Sequence, residues 1–309
     1  MGKTSNPVAD TATSDTGALP IPPMRRTPAF AAINGMRYRR QELIKEIERT
    51  TGRQLICCVG GTSTAIRRDD VVFLSDLLHN IRRGEAIDLM LHTPGGDMDA
   101  AEKLVSMISG AAGTAPFRII VPDFAKSAGT LMALGSNSIL MSDSSELGPI
   151  DPQVVSEEQN GTVHVTAIQN YLDAFDECSK ALADDPTSTT AQAMFDKFEP
   201  ARVHEYKAAI KRARSLAEKL LGGRMFQTVA GNITAIAGKL MDRKQYLSHG
   251  QMIGYVEAQE LGLRVEYLAP DDPLWQAYWQ LYCYQRLEVD ERYKLFESHY
   301  ASIREDDPA

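Results

Sequence analysis

Short continuous apolar runs alternate with amphipathic stretches over the first half of the chain. The apolar runs have the length of buried strands, and they are QLICCV (54–59), IDLMLH (87–92), FRIIVP (117–122) and SILM (138–141). The stretches between them show helical periodicity at about residues 69–83, 97–110 and 126–134. Strands that are apolar on both faces and separated by helices indicate a mostly parallel, covered sheet, so the sequence predicts an α/β fold.

The regions that flank these strands differ in composition. Residues 1–34 are rich in Thr, Ser, Pro, Ala and Gly without periodicity, which predicts a disordered N-terminal arm. Residues 37–50 form a short amphipathic pattern, which predicts a helix on the outside of the domain. Residues 168–245 are mainly helical in pattern and charged, and we interpret them as an insertion within one domain of residues 35–268.

The C-terminal segment, residues 269–309, is predicted to be a helical tail. Its run LWQAYWQLYCYQRLEV (274–289) places aromatic residues at helical spacing, and these are Trp275, Tyr278, Trp279 and Tyr282. Such a stripe is typical of a core or a subunit interface. Because a lone terminal helix could not shield it, we expect the chain to form a homo-oligomer.

Composition and charge narrow the functional classes. The formal charge is -8, from 41 acidic against 33 basic residues, which argues against a nucleic-acid partner. The four cysteines have neither metal-ligand nor disulfide-framework spacing, so we expect no metal site. No apolar run reaches the 18 residues of a membrane-spanning helix, and no signal pattern begins the chain, so we expect a cytoplasmic protein without an integral membrane segment.

The segment LHTPGGDMDAAEKLV (91–105) joins an apolar strand to a helix through Pro-Gly-Gly. Paired glycines at such a junction let backbone N–H groups point into open space, and the helix N-terminus adds positive potential. Gly95 and Gly96 are therefore candidates to stabilise an oxyanion. An isolated Pro-Gly-Gly is also typical of a plain tight turn.

A second junction, VPDFAKSAGTLMAL (121–134), surrounds Ser127 with small residues. They allow the chain to turn sharply and leave the hydroxyl accessible, as a nucleophile at a strand-to-helix turn requires. A serine in this place is also a common helix N-cap. Because both junctions follow consecutive parallel strands, we expect the Pro-Gly-Gly amides and Ser127 to meet in one crevice.

Four ordered motifs carry a family resemblance, and they are HTPGG, AKSAGT, SSELGPIDPQ (144–153) and YLSHGQMIGYVEAQELGL (246–263). Over roughly residues 37–268 the chain resembles the serine dehydrogenase proteinase family, in the Clp-peptidase-like group that includes signal peptide peptidase A. The resemblance implies a Clp/crotonase-like spiral of ββα units, here with a helical insertion and a C-terminal helix, and assembly into oligomers. It also implies that Ser127 is the nucleophile and that Gly95 or Gly96 forms the oxyanion hole with the Ala128 amide.

The general base departs from better-known relatives of this group. Clp peptidases carry a histidine on the strand after the nucleophile helix, where this chain has Asp151. The Ser/Lys members carry a lysine where the run VTAIQNY has Ala167. Neither of the two usual bases is therefore present.

Three residues are candidates for the base. His249 carries an imidazole, which can accept a proton near neutral pH, and Asp151 could orient it. Lys244 could act if burial favoured its neutral form. Lys126 adjoins Ser127, but neighbouring residues at a helix start do not normally face each other.

The motifs together predict a serine endopeptidase-like hydrolase that cleaves peptide bonds through a Ser127 acyl-enzyme, without a metal or organic cofactor. Peptide or protein substrates are the expected partners. Two alternatives stay open. A crotonase-like acyl-CoA enzyme would use the same oxyanion geometry without a serine nucleophile, and a non-catalytic oligomeric scaffold would use Ser127 only as a helix cap.

Overall fold

The computed structural model describes residues 27–157, 163–227 and 231–306, and the side chains of 155–157, 163–165 and 306 are not described. Contacts divide the chain into two units, Met1–Gly35 and Met36–Ala309. Helix α1 (Pro28–Thr51) begins before the predicted start at residue 37. Residues 1–26 of the predicted arm lie outside the described residues.

A mixed α/β architecture confirms the predicted fold class in the second unit. Its main sheet contains β1 (Gln54–Gly60), β2 (Ile87–His92), β3 (Phe117–Ile120), β5 (Ser138–Met141), β9 (Val265–Tyr267), β10 (Tyr293–Glu297) and β11 (Ser302–Asp306). The described strands have the order β11-β10-β1-β2-β3-β5-β9. Strands β1, β2, β3, β5 and β9 are parallel, whereas β10 and β11 join in antiparallel sense.

Short strands and the helices complete the unit. Strand β4 (Phe124–Ala125) pairs with β6 (Glu146–Leu147), and β7 (Gln153–Glu157) pairs with β8 (Val163–Ala167). The remaining helices are α2 (Asp70–His79), α3 (Met98–Ala112), α4 (Ala128–Leu134), α5 (Ile168–Asp184), α6 (Thr189–Phe195), α7 (Pro200–Leu220), α8 (Ile233–Leu240), α9 (Tyr255–Glu260) and α10 (Pro273–Arg286). A π-helical turn, Leu221–Met225, follows α7. No helix in the described ranges is both long and apolar enough to cross a bilayer.

Local chemistry explains why α3 begins directly after the Pro-Gly-Gly turn. The Asp97 side chain caps the helix by accepting hydrogen bonds from the backbone N–H groups of Asp99, at 2.7 Å, and Ala100, at 3.1 Å. Apolar residues at helical spacing, including Leu104 and Ile108, turn one face into the core. The turn is therefore followed by a well-anchored helix.

The C-terminal segment differs from the predicted helical tail. Tyr278 is fully buried and Trp275 and Tyr282 are nearly so, in one cluster with residues of β1. The two strands after α10 extend the main sheet beside β1. The expectation that the aromatic stripe needs a second subunit was wrong, because the sheet and α1 of the same chain cover it. The buried Leu43, Ile44 and Ile47 also make α1 part of that core rather than an outer helix.

Candidate active site

Ser127 lies at a strained turn between β4 and α4. Its backbone has φ 51° and ψ −112°, and it is the one non-glycine residue with positive φ in the described part of the chain. Such a conformation costs about 1–3 kcal/mol and persists where the surrounding contacts enforce it, often at functional sites. Although Ser127 occupies the N-cap position of α4, its hydroxyl makes no capping bond. Ser127 is partly buried, and its hydroxyl has no helix-capping role.

Gly95 lies directly against the Ser127 turn. A Cβ on Gly95 would lie 2.8 Å from the Ser127 Cβ and 3.1 Å from the Lys126 carbonyl oxygen. Gly95 also has φ 124°, a conformation that side-chain-bearing residues rarely adopt. The two junctions that the sequence placed in one crevice are thus in van der Waals contact.

Two backbone N–H groups near this contact have no acceptor in the described ranges. The backbone on either side of Gly96 bonds to Ile66: the Gly95 carbonyl accepts from the Ile66 N–H, and the Asp97 N–H donates to the Ile66 carbonyl. The Gly96 N–H itself takes no part in this pairing. Ala128 is the first residue of α4, where helix N–H groups lack an internal partner. These two donors are of the kind that stabilises an oxyanion formed at a neighbouring carbonyl.

Thr93 links the Pro-Gly-Gly turn to the Ser127 turn through hydrogen bonds. The sequence motifs did not identify this residue. Its N–H donates to the Phe124 carbonyl at 3.0 Å, and its carbonyl accepts from the Lys126 N–H at 3.0 Å. Its hydroxyl accepts from the Gly95 N–H at 3.1 Å. A Cβ on Gly129 would lie 2.6 Å from the Thr93 methyl group, which explains the glycine in AKSAGT. The HTPGG and AKSAGT motifs therefore form one packed unit.

His249 and Asp151 form the pair that the sequence suggested. The His249 Nδ1 is hydrogen-bonded to the Asp151 Oδ1, and the other carboxylate oxygen of Asp151 accepts from the Arg243 guanidinium at 3.0 Å. Asp151 is buried, whereas the His249 side chain is 26% exposed. This arrangement fixes the imidazole through Nδ1 and leaves Nε2 for proton transfer, as in a histidine–aspartate pair of a hydrolase. Arg243 has no sequence motif that could have identified it.

Lys126 is held as a cation and does not suit the role of base. Its Nζ donates to the Leu147 carbonyl at 3.1 Å, lies 3.4 Å from the carbonyls of Gly250 and Gln251, and pairs with Glu146 at 3.1 Å. Burial lowers the pKa of Lys126, and the contact with Glu146 opposes that shift. These four oxygens surround an ammonium group, which has three N–H donors and no lone pair for a proton from Ser127.

Lys244 lacks the burial that its role as a base required, since it is exposed. The segment that carries His249 approaches the Ser127 turn through Lys126, which contacts the two residues after His249. The hydrogen bond between Asp151 and His249 is formed. Within the described residues, the Ser127 hydroxyl makes no hydrogen bond to His249. Such catalytic hydrogen bonds often tighten only when substrate is bound.

No group of three or more His, Cys, Asp or Glu residues is arranged to hold a metal ion in the described ranges. Thr93, Lys126 and Thr130 belong to the two turns and to α4, and each of their polar side chains is engaged with backbone oxygens. The chemistry that this arrangement supports is thus that of a hydroxyl, backbone donors and an imidazole.

Known proteins resemble this chain to different extents. One uncharacterized protein of Methanocaldococcus jannaschii is 30% identical over 200 residues, which cover 64% of this chain and 60% of that protein. A second uncharacterized protein of the same organism is 32% identical over 138 residues, which cover 38% of this chain and 44% of that protein. The chain therefore spans about half the length of these relatives. The solved structure of ClpP1 from Listeria monocytogenes aligns with a TM-score of 0.40 at 14% identity, over 76% of this chain and 98% of that one.

A sequence-family model provides the assignment. The model describes ClpP-like SDH-type serine proteinases and matches residues 74–273, which are more than half of the 309 residues. The matched range includes the Pro-Gly-Gly turn, Ser127, Asp151 and His249. This match confirms the resemblance seen in the four motifs and the Clp-like fold that it implied. The protein belongs to the family of ClpP-like SDH-type serine proteinases.

Proposed function

We propose that this protein is a serine peptidase that cleaves peptide bonds through an acyl-enzyme at Ser127. Membership of a serine proteinase family supports a hydrolase at the level of the family. The observation that carries the finer proposal is the backbone of Ser127, which has positive φ and an uncapped hydroxyl, packed against Gly95. A serine used only as a cap would have neither feature.

In the proposed reaction, the Ser127 and Pro-Gly-Gly turns supply the nucleophile and the oxyanion donors, and His249 with Asp151 transfers the proton. The His249 Nε2 takes the proton as the Ser127 Oγ attacks the substrate carbonyl carbon, and the N–H groups of Gly96 and Ala128 bind the resulting oxyanion. The intermediate then expels the amine, which takes the proton from the imidazolium, and an ester remains on Ser127. Water hydrolyses the ester with His249 again as base. Asp151, held by Arg243, keeps the imidazole oriented.

Two alternatives make different use of the same residues. A crotonase-like acyl-CoA enzyme needs the oxyanion donors but not the Ser127 hydroxyl, so it gives no reason for a strained serine at this turn. A scaffold needs Ser127 only as a cap, and the capping bond is not made. The peptidase is therefore the function that the geometry supports best.

Homo-oligomerisation stays a prediction from the family resemblance, because the aromatic stripe on α10 belongs to the core of one chain. Light scattering at micromolar concentration measures the mass directly. A particle well above the 34.1 kDa of one chain would support an oligomer, and a mass near that of one chain would contradict it.

A fluorophosphonate probe tests the proposed nucleophile. We expect one adduct, located on Ser127 by mass spectrometry, and loss of that adduct together with a turnover loss of at least about 10⁴-fold in Ser127→Ala. Ser248→Ala is a matched control, since Ser248 is exposed and adjoins His249, and it should label normally. An adduct at another residue, or turnover that survives Ser127→Ala, would contradict the proposal.

A further inference from the structure

His92, the last residue of β2, is fully buried immediately before the Thr93-Pro94-Gly95-Gly96 turn. Its Nδ1 lies 2.9 Å from the Gly60 carbonyl oxygen. A carbonyl can only accept, so Nδ1 carries a proton and donates it. The ring is packed against Phe124, with ring centroids 4.0 Å apart. His92 therefore cannot contact substrate and acts, if at all, through its neighbours.

The other ring nitrogen of His92 faces a carboxylate. Its Nε2 lies 3.3 Å from the Asp123 Oδ2, at ion-pair distance, and makes no hydrogen bond to the described residues. The same Asp123 oxygen accepts a hydrogen bond from the Tyr282 hydroxyl at 2.7 Å. The three side chains thus form a cluster of an imidazole, a carboxylate and a phenol.

This cluster joins the two segments that carry the reacting groups. His92 precedes the turn with Gly95 and Gly96, and Asp123 lies four residues before Ser127. The backbone bonds of Thr93 to Phe124 and Lys126 run between the same two segments. Tyr282 comes from α10, which lies far outside the motifs of the site.

We propose that His92, Asp123 and Tyr282 are positioning residues that hold the oxyanion turn against the Ser127 turn, so that α10 takes part in the reaction through one phenol hydroxyl. This proposal rests on the proposed function for its effect on rate, but the cluster itself can be tested without turnover. The attack of Ser127 requires the oxyanion donors within a few tenths of an ångström of their place, and an error near 1 Å can cost about 100-fold in rate.

The partners of Asp123 determine the direction in which its pKa is shifted. Burial acts to raise the pKa of Asp123, but the contact with His92 and the hydrogen bond from Tyr282 outweigh burial and leave this pKa below its ordinary value, with Arg286 of α10 acting in the same direction. The Gly60 carbonyl from β1 faces His92, and the charged groups that act on Asp123 from outside the cluster are Arg286 and Lys126. A carboxyl with a lowered folded pKa contributes stability above its ordinary pKa of about 3.9 and loses it as pH falls through the folded value.

Tyr282→Phe removes one hydroxyl and keeps the ring, and Tyr278→Phe is its matched control on the same helix. The Tyr278 hydroxyl donates to Asp88 at 3.2 Å, away from the site. We expect Tyr282→Phe to slow fluorophosphonate labelling of Ser127 about tenfold and to raise the pKa of Asp123, measured by carboxyl NMR. Tyr278→Phe should change neither. His92→Gln should slow labelling more strongly than Tyr282→Phe. If His92→Gln does not fold, the comparison of Tyr282→Phe with Tyr278→Phe still tests the proposal.

Three results would overturn the proposal. Labelling of Tyr282→Phe at the wild-type rate would show that the Tyr282 hydroxyl does not position the site. An unchanged Asp123 titration in Tyr282→Phe would show that the cluster does not exist in solution. Equal slowing in both variants would show a general loosening of α10. If the wild type itself is not labelled at Ser127, the proposed function fails, and the Asp123 titration still tests the cluster.

Discussion

The two halves of the candidate site are built in different ways. The nucleophile half, residues 93–96 and 123–130, is joined by backbone hydrogen bonds between neighbouring segments, such as Thr93 N–H to the Phe124 carbonyl at 3.0 Å. The base half, which comprises Asp151, Arg243 and His249, is joined by side-chain contacts across 92 and 98 positions of sequence. One half is thus held together by backbone pairing at the end of β2, and the other by side chains from separate segments.

The two halves of the site also differ in how deeply their side chains are buried. Ala125, Ala128 and Thr130 of the nucleophile half are buried, whereas the Arg243 and His249 side chains are 16% and 26% exposed. A substitution in a close-packed segment strains its neighbours, while one at a partly exposed side chain mainly removes a contact. We therefore expect changes in the nucleophile half to lower both stability and rate, and changes at Arg243 or His249, though not at the buried Asp151, to lower rate alone.

His249→Ala should give the largest effect among tests of this contrast. If His249 is the base, turnover should fall by about 1,000-fold, because general-base catalysis contributes about 100- to 10,000-fold. The melting temperature should stay near that of the wild type. Lys244→Met is the control, because Lys244 is exposed, and it should retain turnover. A His249→Ala protein that keeps most of its activity would remove this residue from the mechanism.

Gly95→Ala tests the nucleophile half. The added methyl would lie 2.8 Å from the Ser127 Cβ at φ 124°, so we expect labelling of Ser127 to slow by about 100-fold through displacement of the turn and the melting temperature to fall. Gly110→Ala in α3 meets nothing within 4 Å and should stabilise the helix by about 0.5–1 kcal/mol. Thermal melts and labelling rates measure both. Normal labelling in Gly95→Ala would refute the contact between the two turns.

Lys126→Met tests the connection between the halves. Loss of the Nζ contacts to Gly250 and Gln251 should release the segment that carries His249 and lower turnover about tenfold. In a His249→Ala background the same change should cost much less, because the two act as a unit. Full additivity in this double-mutant cycle would show that Lys126 does not act through His249.

The pH dependence of stability provides a second readout for Lys126. Because burial lowers its pKa in the folded protein, the unfolded chain binds the extra proton between that folded value and the ordinary pKa of about 10.4. Stability from this group therefore rises with pH in that window. Denaturant unfolding of the wild type should show this gain relative to Lys126→Met, and parallel pH curves would contradict it.

Removal of residues 1–34 should have the smallest effect. Their composition predicts no contribution to a core, and the apolar residues of α1 that are buried begin later, at Leu43. Turnover, mass and melting temperature should stay as in the full chain. A fall in melting temperature of more than about 5 °C, near 1 kcal/mol for a domain of ordinary size, would show that this segment docks.

Much of the nucleophile half could be predicted from the sequence because its determinants are local. Apolar runs of strand length led to β1, β2, β3 and β5, and Pro-Gly-Gly and the small residues around Ser127 marked the two junctions. The parallel order of the strands then required the junctions to be neighbours. The pair of His249 and Asp151 was predicted only as one of several options, since no local pattern joins residues 98 positions apart.

The amino-acid sequence by itself determined the strand and helix pattern, the glycines that admit positive φ and the serine at the turn, because each depends on a few adjacent residues. Only the tertiary structure decided that β10 and β11 extend the sheet, that the aromatic stripe of α10 is core, and that Lys126 is an ion-paired cation. These outcomes depend on which distant surfaces meet and on how burial and charge balance there. Such contacts leave no period or motif along the chain.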